Sequence, residues 1–345
     1  MKKEMKADGM TAALLDWYAA NSRDLPWRRT KEPYRIWLSE IMAQQTRIAA
    51  LLPFYERFVE RFPDVFALAR AGEAEVLKYW EGLGYYSRAR MLHRTAGIVA
   101  AEMDGVFPKT AAELRKLPGI GDYTAGAIAS ICYNERVPAV DGNVLRVFAR
   151  LRNDESDVVR PETKKVLTAY LLDIMPREAG AFNQAAMELG ALVCVPKNPR
   201  CAECPVSDFC EARRGGREKD LPIKAKKPPR KVQDMTVLLV INEAGEILVR
   251  RRTERLLQGL WEYVLAEGYV DAAEMLQAWG FADAAIEDAG RAVHVFTHLE
   301  WHMTGCRCAV QGRDAPKGYE FVPLAVLESL ALPSALSAFT AIVIR

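Results

Sequence analysis

Four cysteines lie within seventeen residues, with the spacing Cys-x6-Cys-x2-Cys-x5-Cys, at Cys194, Cys201, Cys204 and Cys210. Thiols this close together usually bind zinc or an iron–sulfur cluster, and in a small secreted chain they form disulfides. We expect no disulfides, because residues 1–10 are charged and lack the apolar segment of an export signal. Zinc sites usually have two knuckles about a dozen or more residues apart, so the spacing favours an iron–sulfur cluster.

The length of the chain, 345 residues, predicts two or three domains. Its formal net charge of +2 neither requires nor excludes a polyanionic partner. Apolar runs stay shorter than the roughly 20 residues that cross a bilayer. We therefore expect a soluble, cytoplasmic protein.

Helical periodicity dominates from Met10 to about Ala212, where apolar residues recur at three- and four-residue steps. From there the chain becomes rich in glycine, proline, lysine and arginine, which is typical of a linker. The segments after it predict a β-hairpin around a turn at 242–245, a helix at 272–279, and strands near 293–296 and 306–310.

The chain is therefore predicted to be multidomain. An all-α domain spans 1–215 and contains the cysteine loop at 194–210. A basic, proline-rich linker follows at 216–234, and an α+β domain spans 235–345.

The segment Leu-Pro-Gly-Ile-Gly-Asp-Tyr-Thr-Ala at 117–125 is a Gly-x-Gly turn that opens into an apolar helix. Gly119 and Gly121 allow close approach of a partner, and the free N–H groups of the helix N-terminus face an anion such as a phosphate. An ordinary structural turn explains the same segment, so the motif gains weight only from its surroundings.

A helix–Gly-x-Gly–helix hairpin near 114–130 is followed by Val-Asp-Gly-Asn-Val at 140–144 and then by the four-cysteine loop. This order resembles the helix-hairpin-helix DNA glycosylases that carry a [4Fe-4S] cluster. The stretches at 24–28, 39–46 and 80–88 resemble the MutY-type branch, which removes adenine.

The resemblance implies one [4Fe-4S] cofactor and an enzyme that hydrolyses the N-glycosidic bond of adenine opposite 8-oxoguanine or guanine in double-stranded DNA. It also implies a monomer that is associated with the bacterial nucleoid and has no membrane partner.

Glu40 and Asp141 are the candidate catalytic carboxyl groups, because cleaving a glycosidic bond calls for one acid and one carboxylate. Glu40 lies in an apolar helical stretch, where burial should raise its pKa and keep it protonated for donation to N7 of adenine. Asp141 should stay ionised and stabilise or capture the sugar cation. The alternative is that Glu40 caps or salt-bridges its helix and Asp141 forms a turn.

Tyr123 occupies the position at which relatives that also cut the DNA backbone carry a lysine, whose amine forms a Schiff base with the sugar. A phenol cannot form that imine. The resemblance therefore implies a monofunctional enzyme that leaves an abasic site, with Tyr123 hydrogen-bonded to Asp141.

An adenine inside a duplex must be flipped out before it can be cleaved. By resemblance, the residues that enter the base stack are Gln44, Gln45 and Tyr85, and those that line the adenine pocket are Arg23, Trp27, Arg28 and Gln184. Asn143, beside Asp141, is also expected at the DNA. The alternative is that Trp27, Tyr85 and Tyr86 are ordinary core aromatics. Lys197 and Arg200, inside the cysteine loop, are expected to face phosphates.

From Met235 onward the chain resembles the Nudix-like domain of these glycosylases. It lacks the run of glutamates that holds magnesium in Nudix hydrolases, so nucleotide hydrolysis is not expected. Phe296, Thr297 and His298 resemble the loop that recognises 8-oxoguanine, with threonine where serine is usual. A zinc site of His294, His298 and His302 is the alternative, although the alternating pattern favours strand and loop.

Two other functions stay open from the sequence. One is a glycosylase for mismatched thymine or an oxidised pyrimidine, and the other is a non-catalytic iron–sulfur sensor that binds DNA. The pair Glu40 and Asp141 argues against the sensor, and Tyr123 argues against the bifunctional pyrimidine enzyme.

Overall fold

A computed structural model of the chain describes residues 2–225, 228–281 and 283–344, with side chains from residue 7 onward. The described residues form two compact units. The first comprises those of Met1–Tyr55, Arg61–Ala69 and Met91–Lys226, and the second those of Glu56–Glu60, Arg70–Arg90 and Lys227–Arg345. The chain thus passes from one unit to the other within the predicted linker, but the segment 70–90 belongs to the second unit, which the sequence did not predict.

The helical part of the chain confirms the predicted all-α architecture. In chain order its α-helices are α1 (Lys2–Asn21), α2 (Pro33–Ala43), α3 (Ile48–Arg61), α4 (Val65–Arg70), α5 (Glu73–Tyr79), α6 (Ser87–Glu102), α7 (Ala111–Leu114), α8 (Asp122–Tyr133), α9 (Gly142–Leu151), α10 (Pro161–Ile174), α11 (Ala179–Leu192) and α12 (Glu211–Arg214). Short 3-10 turns occur at Pro26–Arg28, Cys201–Glu203 and Ser207–Phe209.

One core of the first unit lies between α1, α9, α10 and α11, where Phe148, Phe182 and Leu189 are buried. Val206 and Cys210 belong to the same buried cluster, so the cysteine loop packs directly on this core. Burial of apolar surface is the main driving force for such packing.

Close contact between α9 and α11 brings the start of α9 against the last turn of α11. Gly190 makes this possible, because a Cβ atom there would lie 2.6 Å from Cβ of Asn143. A side chain at Gly190 would therefore push apart the two helices that carry Asp141 and Gln184.

The second unit contains a mixed β-sheet, as predicted for an α+β domain. Its strands are β1 (Lys231–Asn242), β2 (Glu246–Arg251), β3 (Trp261–Glu262), β4 (Val264–Glu267), β5 (Ala285–Val295), β6 (Leu299–Val310) and β7 (Glu320–Pro323), and its helices after the linker are α13 (Ala272–Ala278), α14 (Leu324–Leu327) and α15 (Ser337–Val343). The strand order is β3-β2-β1-β6-β5, with β4 also paired to β1 and β7 to β2.

Strand β1 runs parallel to β6 and antiparallel to β2, and the latter pair is the predicted hairpin. One face of β1 contributes Val237 and Leu239 to a core that includes α15, and the other contributes Leu238 and Val240 to a core that includes α13. A strand covered on both faces needs a continuous apolar run, which is the pattern that its sequence has.

No helix within residues 2–225, 228–281 and 283–344 has both the length and the apolar character of a membrane span.

Candidate active site

An open cavity of about 700 Å³ lies within the first unit, in the size range of ligand pockets. Its walls come from α2, the loop after α2, α8, the start of α9, and α11. Many residues predicted for the active site and DNA line this cavity, namely Arg23, Trp27, Arg28, Glu40, Gln44, Gln45, Tyr123, Asp141, Asn143 and Gln184.

Glu40 reaches the cavity from α2, a helix whose other side chains around it, including Trp37, Ser39 and Ile41, are buried. Burial raises the pKa of Glu40 to about 7, and the nearby charge of Asp141 adds to this. A hydrogen bond from Tyr123 and the charge of Arg28 act in the opposite direction. The expected rise in the pKa of Glu40 is therefore present, and the side chain can carry a proton near neutral pH.

Tyr123 lies on α8, and its Oη donates a hydrogen bond of 2.5 Å to Oε2 of Glu40. The same Oη lies 3.3 Å from Sδ of Met187. The expected hydrogen bond to Asp141 is therefore wrong for this structure. A phenol has one proton to donate, and packing of α8 against α2 directs it to Glu40.

Asp141 is the N-cap residue of α9. Its Oδ1 accepts a hydrogen bond of 2.8 Å from the backbone N–H of Val144, and its Oδ2 accepts one of 2.7 Å from Nδ2 of Asn143. Burial raises the pKa of Asp141, while these hydrogen bonds favour the ionised form. Asp141 thus caps helix α9 and also lines the cavity, whereas the alternative interpretation gave it only a turn.

Glu188 is the site residue that sequence reasoning missed. Its side chain is only 1% exposed and pairs with both Arg23 and Arg28. Burial alone would raise its pKa, but hydrogen bonds from the two arginines lower the pKa of Glu188 to about 2. A lone carboxylate in the apolar helix α11, four residues after Gln184 and so on the same face, was the available signal.

Gln184 faces the cavity from α11, and its Nε2 makes a long contact of 3.4 Å with the carbonyl of Gly180. Trp27 is 93% buried, and its ring packs edge-on against Tyr55 with centroids 4.9 Å apart. Trp27 therefore combines the core role of the alternative interpretation with a position on the cavity wall.

Gln45 is exposed and adopts a left-handed backbone conformation with φ of 59°. This conformation is uncommon for residues other than glycine and is often found at functional sites. Its neighbour Gln44 contacts Oγ1 of Thr124 at 3.3 Å.

Tyr85 belongs to the second unit, where its φ is 48° and its side chain is 45% exposed. Its Oη lies 2.8 Å from Oγ1 of Thr297, and either hydroxyl can donate. Tyr86, in contrast, is buried, as the core-aromatic alternative held.

The loop between β5 and β6 contains Phe296, Thr297 and His298, which line a cavity in the second unit together with Tyr85. The ring of Phe296 packs against His294 and Trp301, with centroid distances of 4.6 and 4.9 Å. His294 and His302 lie on the two strands and His298 lies in the loop, as the alternating pattern predicted.

The two glycines of the Gly-x-Gly turn differ in backbone conformation and in surroundings. Gly119 has φ of 75°, and a Cβ atom there would lie 2.7 Å from Cβ of Met91, so both its backbone and its surroundings require glycine. Gly121 is the N-cap of α8, has an extended backbone and has open space around its Cα. Asp122, in the first turn of α8, pairs with Arg115 at 3.0 Å.

The cysteine loop presents Lys197 and Arg200 on its exposed side. The guanidinium of Arg200 donates to the carbonyl of Leu192 and pairs with Glu203 at 3.1 Å. Arg200 is thus held in place by the protein itself, and its expected contact with phosphate stays a prediction.

All four loop cysteines line one cavity beneath α9 and α11. Burial, together with the charges of the other three thiols, raises the pKa of Cys204 to about 12. Burial and the Cys194 and Cys210 thiols likewise raise the pKa of Cys201. A cationic centre would favour the thiolate forms, so the donor set fits a thiolate-bound metal group.

Among the described residues, no three His, Cys, Asp or Glu side chains are grouped as ligands of a single metal ion. The four thiols instead surround a shared space. In a [4Fe-4S] cluster the four irons share four cysteine ligands, so the arrangement fits the predicted cofactor.

Two buried arginines of α9 brace the cysteine loop. Arg150 donates to the carbonyls of Val195 and Leu221 and lies 3.3 Å from Sγ of Cys194. Arg146 donates to the carbonyl of Cys194 at 2.8 Å and to Oδ1 of Asn143 at 2.9 Å. The loop and the segment that holds Asp141 are therefore linked through one side chain.

In the second unit, Glu262 is buried and accepts hydrogen bonds from Arg250 and Arg252 at 2.8 and 2.5 Å. Both of its oxygens are thus engaged by cations. Helix α13 contains a single acidic residue, Glu274. This arrangement differs from the clustered glutamates of a magnesium-dependent nucleotide hydrolase.

The sequence matches the HhH-GPD superfamily of base excision DNA repair proteins over residues 38–176 and a NUDIX domain over 236–341. Residues 194–210 match the iron–sulfur binding domain of endonuclease III, which confirms the predicted [4Fe-4S] cofactor. The solved structure of a thermostable thymine-DNA glycosylase superposes with a TM-score of 0.57 at 24% identity. It covers 62% of this chain and 100% of that one, and shows the fold.

Several relatives are named adenine DNA glycosylase, among them one from Arabidopsis thaliana and one from Homo sapiens. The Arabidopsis thaliana protein is 37% identical over 86% of this chain, which spans just over half, 56%, of that protein. The Homo sapiens protein is 35% identical over 87% of this chain and 67% of its own length. The chain therefore belongs to the adenine DNA glycosylase family of helix-hairpin-helix base excision repair proteins.

Proposed function

We propose that the protein is a monofunctional glycosylase that removes adenine paired with 8-oxoguanine or guanine in duplex DNA and acts on DNA of the bacterial nucleoid. One observation carries the proposal. Glu40, with a pKa of about 7, faces the hydrogen-bonded carboxylate of Asp141 in an open cavity. An acid and a carboxylate placed together in this way suit cleavage of a glycosidic bond.

In the proposed reaction Glu40 transfers its proton to N7 of the flipped adenine. The bond between C1′ and N9 then breaks, and its electron pair leaves with the base. Asp141 stabilises or captures the cationic sugar, and water adds its oxygen to C1′ while its proton returns to a carboxylate. General acid catalysis of this type contributes about a hundred- to ten-thousandfold.

Tyr123 supports the monofunctional assignment. The position that would carry an amine nucleophile carries a phenol, and that phenol donates to Glu40. None of the described residues that line the cavity is a lysine. Efficient trapping of an imine with DNA by borohydride would contradict this assignment.

The second unit offers a candidate reader of the opposite base. Tyr85 and Thr297 share a hydrogen bond at 2.8 Å, and both line a cavity with Phe296 and His298. These groups supply the stacking surfaces and hydroxyls that suit recognition of 8-oxoguanine. The methyl group of Thr297 narrows the space beside its hydroxyl.

Contacts to the DNA backbone are proposed for the Gly-x-Gly turn, through Gly119 and Gly121, and for the cysteine loop, through Lys197 and Arg200. Cys194, Cys201, Cys204 and Cys210 are the proposed ligands of the cluster. When bound, the cluster holds this loop in shape, and the reaction proceeds on the side chains of the cavity.

Single-turnover assays on three duplexes test the substrate. We expect release of adenine opposite 8-oxoguanine and, more slowly, opposite guanine, and no release of thymine opposite guanine. Release of thymine alone would favour the related pyrimidine glycosylase. DNA binding with no base release from any duplex would favour the sensor.

The substitution Glu40→Gln tests the acid. We expect adenine release to fall by about a hundredfold or more while DNA affinity is kept, because glutamine cannot supply the proton. Glu32→Gln is the matched control, since Glu32 precedes the same helix, is half-exposed and pairs only with Arg35 among the described ion pairs. Undiminished release by Glu40→Gln would remove the residue from the mechanism.

A further inference from the structure

Glu188 is a buried charge in the cavity that the mechanism above does not use. Its Oε1 accepts hydrogen bonds from the backbone N–H and Nε of Arg23, at 2.9 and 2.8 Å, and from Nη1 of Arg28 at 2.8 Å. Its Oε2 accepts from Nη2 of Arg23 at 2.6 Å and from Nη2 of Arg28 at 2.8 Å. Each guanidinium thus donates two hydrogen bonds to the carboxylate.

This geometry leaves Glu188 no free role as an acid or base. Its oxygens accept five hydrogen bonds, and the pKa of Glu188 falls to about 2, so it carries no proton at neutral pH. A carboxylate that accepts two hydrogen bonds from each of two guanidiniums fixes the orientation of both. What Glu188 positions is the pair of arginines.

Arg28 lies between two carboxylates. Glu188 holds it by hydrogen bonds, and its charge also acts on Glu40. Its further partners are the carbonyl of Arg23 at 3.0 Å and the ring of Tyr18 at 5.5 Å. If Glu188 lost its charge, Glu40 would be the remaining carboxylate that acts on Arg28.

The other titratable groups near Glu40 lie on two other helices. Tyr123 and Cys132 lie on α8, and Asp141 stands at the start of α9. Of these, Tyr123 donates a hydrogen bond and Asp141 adds negative charge. Arg28 is the cation among the groups that act on Glu40.

We propose that Glu188 is a positioning residue that holds the guanidinium of Arg28 away from Glu40, so that Glu40 keeps its proton for the adenine. The inference rests on the adenine-removing function proposed above. It assigns to Glu188 a part in catalysis without contact to the substrate.

Variants can be matched by the summed charge of the three side chains. Arg23, Arg28 and Glu188 together carry +1, from two positive charges and one negative. Glu188→Gln raises this to +2, and Glu188→Gln combined with Arg28→Met returns it to +1. Glu188→Asp keeps the charge, but its side chain is one methylene shorter and cannot hold both arginines equally well.

The test is the single-turnover rate of adenine release by the full chain, with its cluster, as a function of pH. Wild type should lose rate as pH rises through about 7, where Glu40 loses its proton. Glu188→Gln should move this alkaline fall about one pH unit lower, so that the rate above pH 7 drops about a further tenfold. Glu188→Asp should move it less in the same direction.

The double variant should return the alkaline fall toward the wild-type pH. Glu178→Gln, at the exposed N-cap of the same helix, should leave it unchanged. If Glu188→Gln does not fold, the smaller shift of Glu188→Asp decides the question.

The proposal would be overturned if Glu188→Gln lost the same fraction of its rate at every pH. It would also be overturned if the double variant kept the lower pH of the alkaline fall. Either result would leave Glu188 a purely structural role. Absence of adenine release by the wild type at any pH would instead overturn the proposed function.

Discussion

Two glutamates in one cavity have opposite protonation behaviour because their neighbours differ. Glu40 sits among buried side chains, and one phenol donates to it, so its pKa is about 7. Glu188 is just as sheltered, but two guanidiniums donate to it, so its pKa is about 2. Near neutral pH, Glu40 can therefore exchange a proton, whereas Glu188 stays ionised and serves as a partner for the two arginines.

The substitution Tyr123→Phe should act on the pKa of Glu40. The hydrogen bond from Tyr123 lowers this pKa, so its loss raises the pKa above about 7. The acid form of Glu40 then persists to higher pH, and the alkaline fall of the excision rate should move up by about one pH unit.

Tyr133→Phe is the control, since Tyr133 lies on the same helix and donates to the carbonyl of Phe107. An alkaline fall that stays in place or moves down in Tyr123→Phe would contradict the assigned role of this hydrogen bond. The measurement is the pH profile of single-turnover adenine release.

At the scale of elements, the Gly-x-Gly turn between α7 and α8 rests on α6. Gly119 contacts Met91 of α6, and Oγ1 of Thr95 in the same helix donates to the carbonyl of Pro118 at 2.7 Å. The exposed Gly119 is thus required by its left-handed backbone and by its contact with Met91. Gly121 is also exposed and has open space around its Cα, so the protein itself does not require glycine there.

Gly119→Ala should therefore lower the free energy of unfolding by about 1–3 kcal/mol, because alanine strains the left-handed backbone and its Cβ meets Met91. Gly121→Ala should change stability little and weaken DNA binding more than it affects folding. Denaturant unfolding and DNA titration of the two variants check this. Equal stability losses would contradict the distinction.

At the scale of the whole molecule, the cysteine loop ties together the helices of the first unit. Arg150 connects it to α9, Val206 and Cys210 join the buried core, and Phe209 lies next to Gly9 of α1. The loop therefore couples the cluster to the core that also supports the cavity. Loss of the cluster should therefore lower the stability of the whole first unit.

Cys204→Ala should lower the bound iron from about four atoms per chain and lower the midpoint of thermal unfolding. DNA affinity should also fall, because the loop carries Lys197. Cys308→Ala is the control, since Cys308 is a buried thiol of the sheet and should leave the iron content unchanged. Retention of full iron content by Cys204→Ala would contradict its assignment as a ligand.

Local patterns in the sequence determined a large part of this protein. The spacing of four cysteines predicted the cofactor, the Gly-x-Gly segment predicted a turn that opens into a helix, and the turn at 242–245 predicted the hairpin of β1 and β2. These features are decided within a few covalently linked residues, so they are present in the sequence itself.

Only the tertiary structure decided which distant groups meet. Tyr123 donates to Glu40, 83 residues away, where the sequence suggested Asp141. Glu188 pairs with Arg23 across 165 residues, and the segment 70–90 joins the second unit. A hydrogen bond depends on separations of about 3 Å and on direction, and these are set by how helices pack. Sequence spacing carries no such information across separate elements.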